Sequence, residues 1–523
     1  MSDKVKGGLY VKTVKRFFLN GLVLTLTSVF MRFISVVFNV YITNRIGSAG
    51  MGLFSLILSV YTFATTLATS GIYLACTRLV TQELVRNSAQ GVKASMKKCI
   101  IYSLCFGTVS FLLLFCFAEK IALFWLCDIR ALRSLRLLAV SLPFFALSSA
   151  LSGYFCAVRR VVKNALTNIL EQFIRIFLTV MLLVNTTCKN VEQATVAVVI
   201  GMCASEILAF LASFILFVAD MKKNSSRTPE KASSGITIRL LKMSIPVALS
   251  AYIRSALVTV ENILIPKGLI RSGAATEQAL SSYGVISGMV FPVIFFPVAF
   301  LSAFSSLVVP EITRYNEKGQ RKQIDYVVGR IFKITAVFSV GIAGIFIFFS
   351  DALGLLLYNS EQAGRYIKIF AALIPVMYID NTTDAVLKGM GEQISSMRYN
   401  IIDALVSVLL VYFLLPPLGI KGYVAVIYIS ELLNASLSLQ RMLRITKIKI
   451  KPFSCIVSPL LSIIGATSAV NIIKVNYKFD VVSVTVNIIL CLILYFSFLR
   501  MTGGVTSEEK NWFLNIFASK KSE

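Results

Sequence analysis

The run FFLNGLVLTLTSVFMRFISVVFNVYI, residues 17–42, decides the architecture. It is 26 residues long and carries a single charge, Arg32. A helix needs about 20 apolar residues to cross a hydrocarbon layer of roughly 30 Å. In lipid each backbone polar group has to be satisfied within its own segment, which selects a helix. The alternating pattern of a membrane barrel strand is absent. Outward from this run, similar blocks recur at 53–77, 99–118, 137–158, 165–186, 195–219, 240–265, 281–307, 331–350, 366–388, 399–418, 422–440, 454–473 and 481–500. The expected fold is all-α and integral to the membrane, with about 14 transmembrane helices. Composition agrees: 57% of residues are hydrophobic, 15% are charged and the mean hydropathy is +0.79. Soluble domains carry roughly 45–50% apolar and about 25% charged residues.

A net charge of +27 raises nucleic acid as a partner. The basic residues, however, sit in short connections between apolar blocks, the pattern that orients a membrane protein. Lys222, Lys223, Arg227 and Lys231, then Arg314 to Arg330, then Arg441 to Lys451 all fall on one side when the blocks alternate. That side reads as the cytoplasm, which places both termini there and the chain in the cytoplasmic membrane. The basic start, Lys4 to Arg16, runs directly into a block too long for a signal-peptide core. Ten cysteines lie mostly inside apolar blocks without CxxC spacing, so neither a disulfide framework nor a zinc site is expected. There is no histidine, the commonest proton shuttle and metal ligand. No metal and no cofactor follow from the sequence.

The chain repeats itself. Ser28-Val-Phe-Met-Arg32, followed by Asn39, has the spacing of Ser250-Ala-Tyr-Ile-Arg254, followed by Glu261, at an offset of 222 residues. Asn168-Ile-Leu-Glu171 in the fifth block likewise matches Asn400-Ile-Ile-Asp403 in the eleventh, at an offset of 232. Two matches in one order point to duplication. Six blocks per repeat give two parallel six-helix bundles related by a pseudo-two-fold axis, with a central cleft between them. The bundles are expected at 1–219 and 239–450, joined by a Ser/Lys-rich cytoplasmic linker, 220–238. Residues 451–500 supply two additional C-terminal helices. The tail, 501–523, contains Trp512 and Phe513 among charges, as in a surface-lying amphipathic helix.

Charges at membrane depth cost roughly 2.5–3.5 kcal/mol each on insertion scales, so they are placed toward a bundle interior or a wet cavity. Arg32 has no carboxylate in its own block, and Arg254 is its repeat mate. The arginines point to an anionic substrate. For Arg254 a second reading stands, because Glu261 lies two turns away on a similar face and can neutralise it. Glu171 and Arg175, four residues apart on one helix face, are expected to form a structural ion pair. Asp380, Asp384 and Lys388 recur every four residues and form a polar stripe, a candidate lining for the cleft. Phe291-Pro-Val-Ile-Phe-Phe-Pro297 places two prolines inside one block and predicts a kink. Gly284 and Gly288 form a small-residue face suited to close helix packing.

These residues carry a resemblance. The first block with Gly47-Ser-Ala-Gly-Met-Gly-Leu-Phe54, Ser70-Gly-Ile72 and Thr77-Arg-Leu79 resembles the opening of the polysaccharide-export and lipid-flippase branch of the multidrug/oligosaccharidyl-lipid/polysaccharide exporter superfamily. Within that branch it is similar to the stage V sporulation protein B type, a neighbour of the lipid II flippases. Gly153-Tyr-Phe155, Ser282-Tyr-Gly284, Val309-Pro-Glu311 and Leu387-Lys-Gly-Met-Gly391 match further landmarks, over about residues 10–450. The resemblance implies two six-helix bundles forming a V-shaped cleft. It also implies transport without covalent chemistry: flipping an undecaprenyl-pyrophosphate-linked sugar, a peptidoglycan precursor or another glycan unit, from the inner to the outer leaflet. By position it assigns pyrophosphate binding to Arg32 and Arg254, with Arg45 a further candidate and Asn39 and Glu261 beside them. Glu261 stands where many relatives carry aspartate, which leaves a coupling cation open. Expected partners are the lipid-linked glycan, membrane lipids and cell-wall synthesis proteins. Other readings are a cation-coupled multidrug exporter of the same superfamily, a membrane glycan polymerase or glycosyltransferase, and an assembly scaffold. A polymerase or transferase would need catalytic groups on sizeable loops, and the longest connections are about twenty residues.

Overall fold

The computed structural model describes residues 2–86, 88–185, 190–224, 235–446, 448, 452–473 and 480–504, with side chains from Thr27 onward except at 161, 223, 224, 306 and 307. Most of the expected linker, and the tail with Trp512 and Phe513, lie outside the described residues. Among those described, all regular secondary structure is helical. The helices are α1 (Ser2–Thr69), α2 (Ile72–Val85), α3 (Ala89–Lys120), α4 (Ala131–Ala157), α5 (Val161–Asn185), α6 (Val191–Asn224), α7 (Ile236–Arg271), α8 (Thr276–Gly284), α9 (Phe291–Phe295), α10 (Val298–Glu317), α11 (Arg321–Phe348), α12 (Ser350–Tyr358), α13 (Glu361–Ala371), α14 (Ile374–Gly389), α15 (Gln393–Leu418), α16 (Ile420–Thr446), α17 (Ser458–Ile473) and α18 (Val481–Met501).

Twelve helices among the described residues are long and apolar enough to cross a membrane. The difference from fourteen arises at two places. The stretch Thr27–Val85 forms one candidate of 59 residues, although it holds most of the first apolar block and all of the second. Gly47 breaks it at φ 74, ψ 173, a conformation open to glycine because it has no Cβ. The tenth block is interrupted: α13 ends at Ala371 and α14 begins at Ile374. Pro375, at the second position of α14, has no N–H to continue a helix from α13.

The chain forms two compact units, Met1–Gly284 with Val408–Tyr423, and Val285–Ser407 with Val424–Glu523. In the first unit, the segment after Gly47 packs on α8 through two glycines. A Cβ at Gly52 would fall 2.0 Å from the Leu280 carbonyl oxygen, and one at Gly284 would fall 2.1 Å from that of Ser48. Ser48 and Ser281 share a hydroxyl hydrogen bond of 2.7 Å beside this contact. Helices α2, α3 and α4 enclose a core that includes Leu79, Met96, Tyr154 and Phe155. Helix α7, which the repeat assigns to the second half, lies in this unit against the segment of α1 after Gly47 and against α2. Thr66 donates to Ser255 (3.3 Å), and Thr259 and Asn262 donate to the Ser59 backbone and side chain (3.2 and 3.1 Å).

In the second unit the proline run breaks the eighth block as expected. A π-helical turn over Val285–Val290 leads into α9, and Phe296 and Pro297 separate α9 from α10. Two buried tyrosines donate to carbonyls beside these breaks, Tyr358 to Met289 (3.0 Å) and Tyr378 to Ile294 (2.6 Å). Neighbouring side chains thus supply donors that the interrupted helix does not. Helices α17 and α18 pack on α11, where Cβ atoms at Gly341 and Gly344 would strike Tyr495 and Ile463 at 2.6 and 2.2 Å.

Three outcomes test this packing. Gly52→Ala has backbone in its way and is expected to lower the thermal midpoint of the purified protein, at the roughly 1–3 kcal/mol typical of overpacking. Gly465→Ala, whose Cβ meets only Phe498 at 3.6 Å, is expected to leave it unchanged. Tyr378→Phe, which strands the Ile294 carbonyl, is expected to cost about 1–3 kcal/mol in the same measurement.

Candidate functional site

Helix α1 carries Arg32, Asn39 and Arg45. Asn39 is half-buried, and its backbone carbonyl accepts from the Thr43 hydroxyl at 2.8 Å. One turn beyond Arg32, the Ser35 hydroxyl accepts from Gln172 on α5 at 3.2 Å. Arg32 itself is exposed. Arg45 is also exposed and stacks on Tyr41, with its guanidinium carbon 5.6 Å from the ring centre.

Helix α7 spends one face on the segment of α1 after Gly47 and the turn that follows it. Tyr252, Ser255, Thr259 and Asn262 bond toward them, the Tyr252 hydroxyl pairing with that of Ser70. Arg254 stands off this face and is exposed, and Glu261, two turns on, is half-buried. Among the described residues, neither Arg32 nor Arg254 has an ion-pair or hydrogen-bond partner. The two repeat-related arginines therefore belong to one unit, and both present unneutralised guanidinium groups. Such a planar, always-charged fork matches phosphate or carboxylate oxygens bidentately.

Glu171 and Arg175 pair on α5, and the Arg175 Nε reaches the Ser205 hydroxyl of α6 at 3.5 Å. The repeat mate of Glu171, Asp403 on α15, accepts from Ser430 on the following helix, α16. Each repeat thus ties a carboxylate of one helix toward a serine of the next. Glu206, 7% exposed on α6, lies within electrostatic reach of Glu171 and Arg175. Sequence reasoning passed over it, although an acidic residue in the middle of the block 195–219 was a legible signal.

The stripe on α14 divides. Asp384 accepts from Lys388 (2.5 Å) and from Ser396. With Ser302, Ser305 and Asn381, Asp384 and Lys388 line a pocket of about 350 Å³ between α10 and α14. Asp380 does not line it and accepts from Asn434 of α16 at 3.0 Å. No group of three or more potential metal ligands occurs among the described residues. Outside the spans, Glu392 joins α14 to α15 and accepts from Ser395 (2.6 Å) and Arg441 (2.8 Å). Those bonds, Ser395 first, hold its carboxyl below the usual glutamate value.

Known proteins share this fold. The lipid II flippase MurJ, in an inward closed conformation, superposes with a TM-score of 0.71 at 14% identity, over 92% of this chain and 98% of that one. An inward-facing multidrug resistance MATE family transporter superposes at 0.64 and 13% identity, over 81% of this chain and 98% of that one. The fold is thus that of the multidrug/oligosaccharidyl-lipid/polysaccharide exporter superfamily. A family model described as polysaccharide biosynthesis protein matches residues 18–300, more than half of the chain, and a MatE model matches residues 269–413. Stage V sporulation protein B of Bacillus subtilis (strain 168) is 27% identical over 449 residues, 84% of this chain and 86% of its own length. Sporulation protein YkvU of the same organism is 21% identical over 407 residues, 77% of this chain and 88% of its own. The chain belongs to the polysaccharide biosynthesis protein family, in the stage V sporulation protein B-like branch of that superfamily.

The Glu392 contacts have a pH signature. A carboxyl whose folded pKa is lowered contributes stability above its unfolded pKa and loses it as pH falls through the folded value. Thermal midpoints of wild type and Glu392→Gln are expected to differ at neutral pH and to converge as pH falls below 4.5.

Proposed function

We propose that this chain moves a lipid-linked glycan with a pyrophosphate headgroup from the inner to the outer leaflet by alternating access, without covalent chemistry. The supporting observation is the pair Arg32 and Arg254, exposed, unpartnered and at equivalent repeat positions. Two cations held at membrane depth without an ion-pair partner among the described residues carry an insertion cost that a bound dianion offsets. Guanidinium forks suit the adjacent oxygens of a pyrophosphate. Asn39 and Glu261 flank the two arginines as further contacts, and Arg45 receives the headgroup at the outer end of α1. The names of the relatives favour the same class, since one match is a lipid II flippase and the matching family is that of polysaccharide biosynthesis.

We keep fourteen spans in two six-helix bundles plus the pair α17–α18 as the proposed topology, with Gly47 separating the first two spans and α13 and α14 together forming one interrupted span. One energy source this chemistry admits, beside a coupling cation, is the membrane potential. With the inside negative, outward movement of an anionic headgroup is favoured by about 2.3 kcal/mol per charge per 100 mV. A cation-coupled exporter of organic cations, the alternative within the superfamily, is opposed by the same arginines, which repel its cargo.

The test is leaflet-resolved flipping of defined lipid-linked pyrophosphates in proteoliposomes. Arg32→Ala and Arg254→Ala are each expected to slow flipping at least tenfold, in keeping with about 1.5–3 kcal/mol for a charged hydrogen bond. Normal rates in both variants would remove the arginines from the substrate site. Export of organic cations without flipping would favour the alternative.

A further inference from the structure

A second basic site lies in the first unit, away from Arg32 and Arg254. Between α3, α4 and α6 there is a cavity of about 850 Å³, inside the roughly 300–1,000 Å³ range of small-ligand pockets. Its walls have two characters. Lys93 and Lys97, one turn apart on α3, and Lys222 on α6 line one end, while Met96, Ile100, Ile101, Phe217 and Val218 line the rest. The three lysines are exposed, and among the described residues none has an ion-pair or hydrogen-bond partner. The carboxylates nearby do not offset them. Asp220 is 1% exposed and held by Arg160, Lys163 and the Tyr154 hydroxyl. Glu83 is buried against Arg239 and Arg86.

The axial order matches a lipid. From Lys93 and Lys97 to Ile101 and Leu104 is four to eleven residues, about 6–16 Å along a helix at 1.5 Å per residue. The headgroup layer beside the hydrocarbon is about 5–8 Å thick. Lysines at the phosphate level therefore stand above side chains at the acyl level, where Ile101 lines the cavity and is itself exposed, as is Leu104 one turn on. The charge asymmetry of the sequence puts this end at the cytoplasmic leaflet, where anionic lipid attracts basic pockets between helices. We propose that the cavity is a binding site for one anionic glycerophospholipid of the inner leaflet. Its phosphate sits among Lys93, Lys97 and Lys222, and one acyl chain lies along Ile100, Ile101, Phe217 and Val218. This site is separate from the transport reading and stands whether or not the chain flips a glycan.

The experiment is native mass spectrometry of the full chain in detergent, titrated with phosphatidylglycerol or with phosphatidylcholine of the same acyl chains. Wild type is expected to bind phosphatidylglycerol at least tenfold more tightly. Lys93→Gln, Lys97→Gln and Lys222→Gln should each weaken it about fivefold, the increment of one basic residue at an anionic surface, and the triple variant should show no headgroup preference. Lys98→Gln, exposed on α3 but outside the cavity, is expected to bind as wild type, and helicity by circular dichroism verifies folding throughout. Unchanged phosphatidylglycerol binding in the triple variant, equal affinity for the two lipids, or an equal loss in Lys98→Gln would each overturn the proposal. A lipid-linked pyrophosphate that displaces phosphatidylglycerol from this cavity would overturn it as well, by making it a substrate site.

Discussion

A backbone carbonyl or amide left without a partner in hydrocarbon costs several kcal/mol, and that penalty governs where these helices are able to stop. At each interior break the sequence pairs a residue that ends the helix with a means of tolerating the break. Gly47 takes a positive φ at no Cβ cost. Around the Phe291–Pro297 run, Tyr358 and Tyr378 donate to the carbonyls of Met289 and Ile294. Breaks of this kind are built positions, and the glycine contact at Gly52 and Gly284 shows the same economy of space one step further along the chain.

The charges follow from the same low-dielectric setting. Several carboxylates are held: half-buried Glu171 by Arg175, buried Asp220 by Arg160 and Lys163, and half-buried Asp403 by Ser430. A buried ion held in this way is a costly but closed arrangement. Arg32 and Arg254 differ in that nothing in the described chain closes them. The contrast between held carboxylates and open arginines is what the proposed anion site rests on.

Much of the fold was legible because a membrane imposes a single length scale on the sequence. Apolar blocks such as 99–118 and 481–500 fall within helices, since hydropathy and span length are local properties. The break inside the tenth block was less legible, as Pro375 sits where a helix start and a helix interior look alike until the partner helices are in place. The assignment of α7 to the first compact unit was not legible either. A repeat reports descent, whereas contacts such as Thr259 to Ser59 depend on packing between segments some 200 residues apart. For the site, spacing alone placed Glu171 and Arg175 on one face, but Glu206 was overlooked because it has no partner on its own helix. The division of the α14 stripe also needed three dimensions, because Asn434 of α16 claims Asp380 and leaves Asp384 to the pocket.

The seat of α17 and α18 on α11 has a consequence for how the protein is made. Gly341 and Gly344 form a notch that Tyr495 and Ile463 fill, and the Tyr495 hydroxyl donates to the Val337 carbonyl at 2.6 Å. These partners leave the ribosome well after α11 has been inserted. Until then the notch lacks the side chains that fill it, and α11 is completed only by residues more than a hundred positions downstream. Assembly of the second unit is therefore timed by its distal hairpin, which makes α17–α18 a late latch on biogenesis rather than a passive addition to the span count.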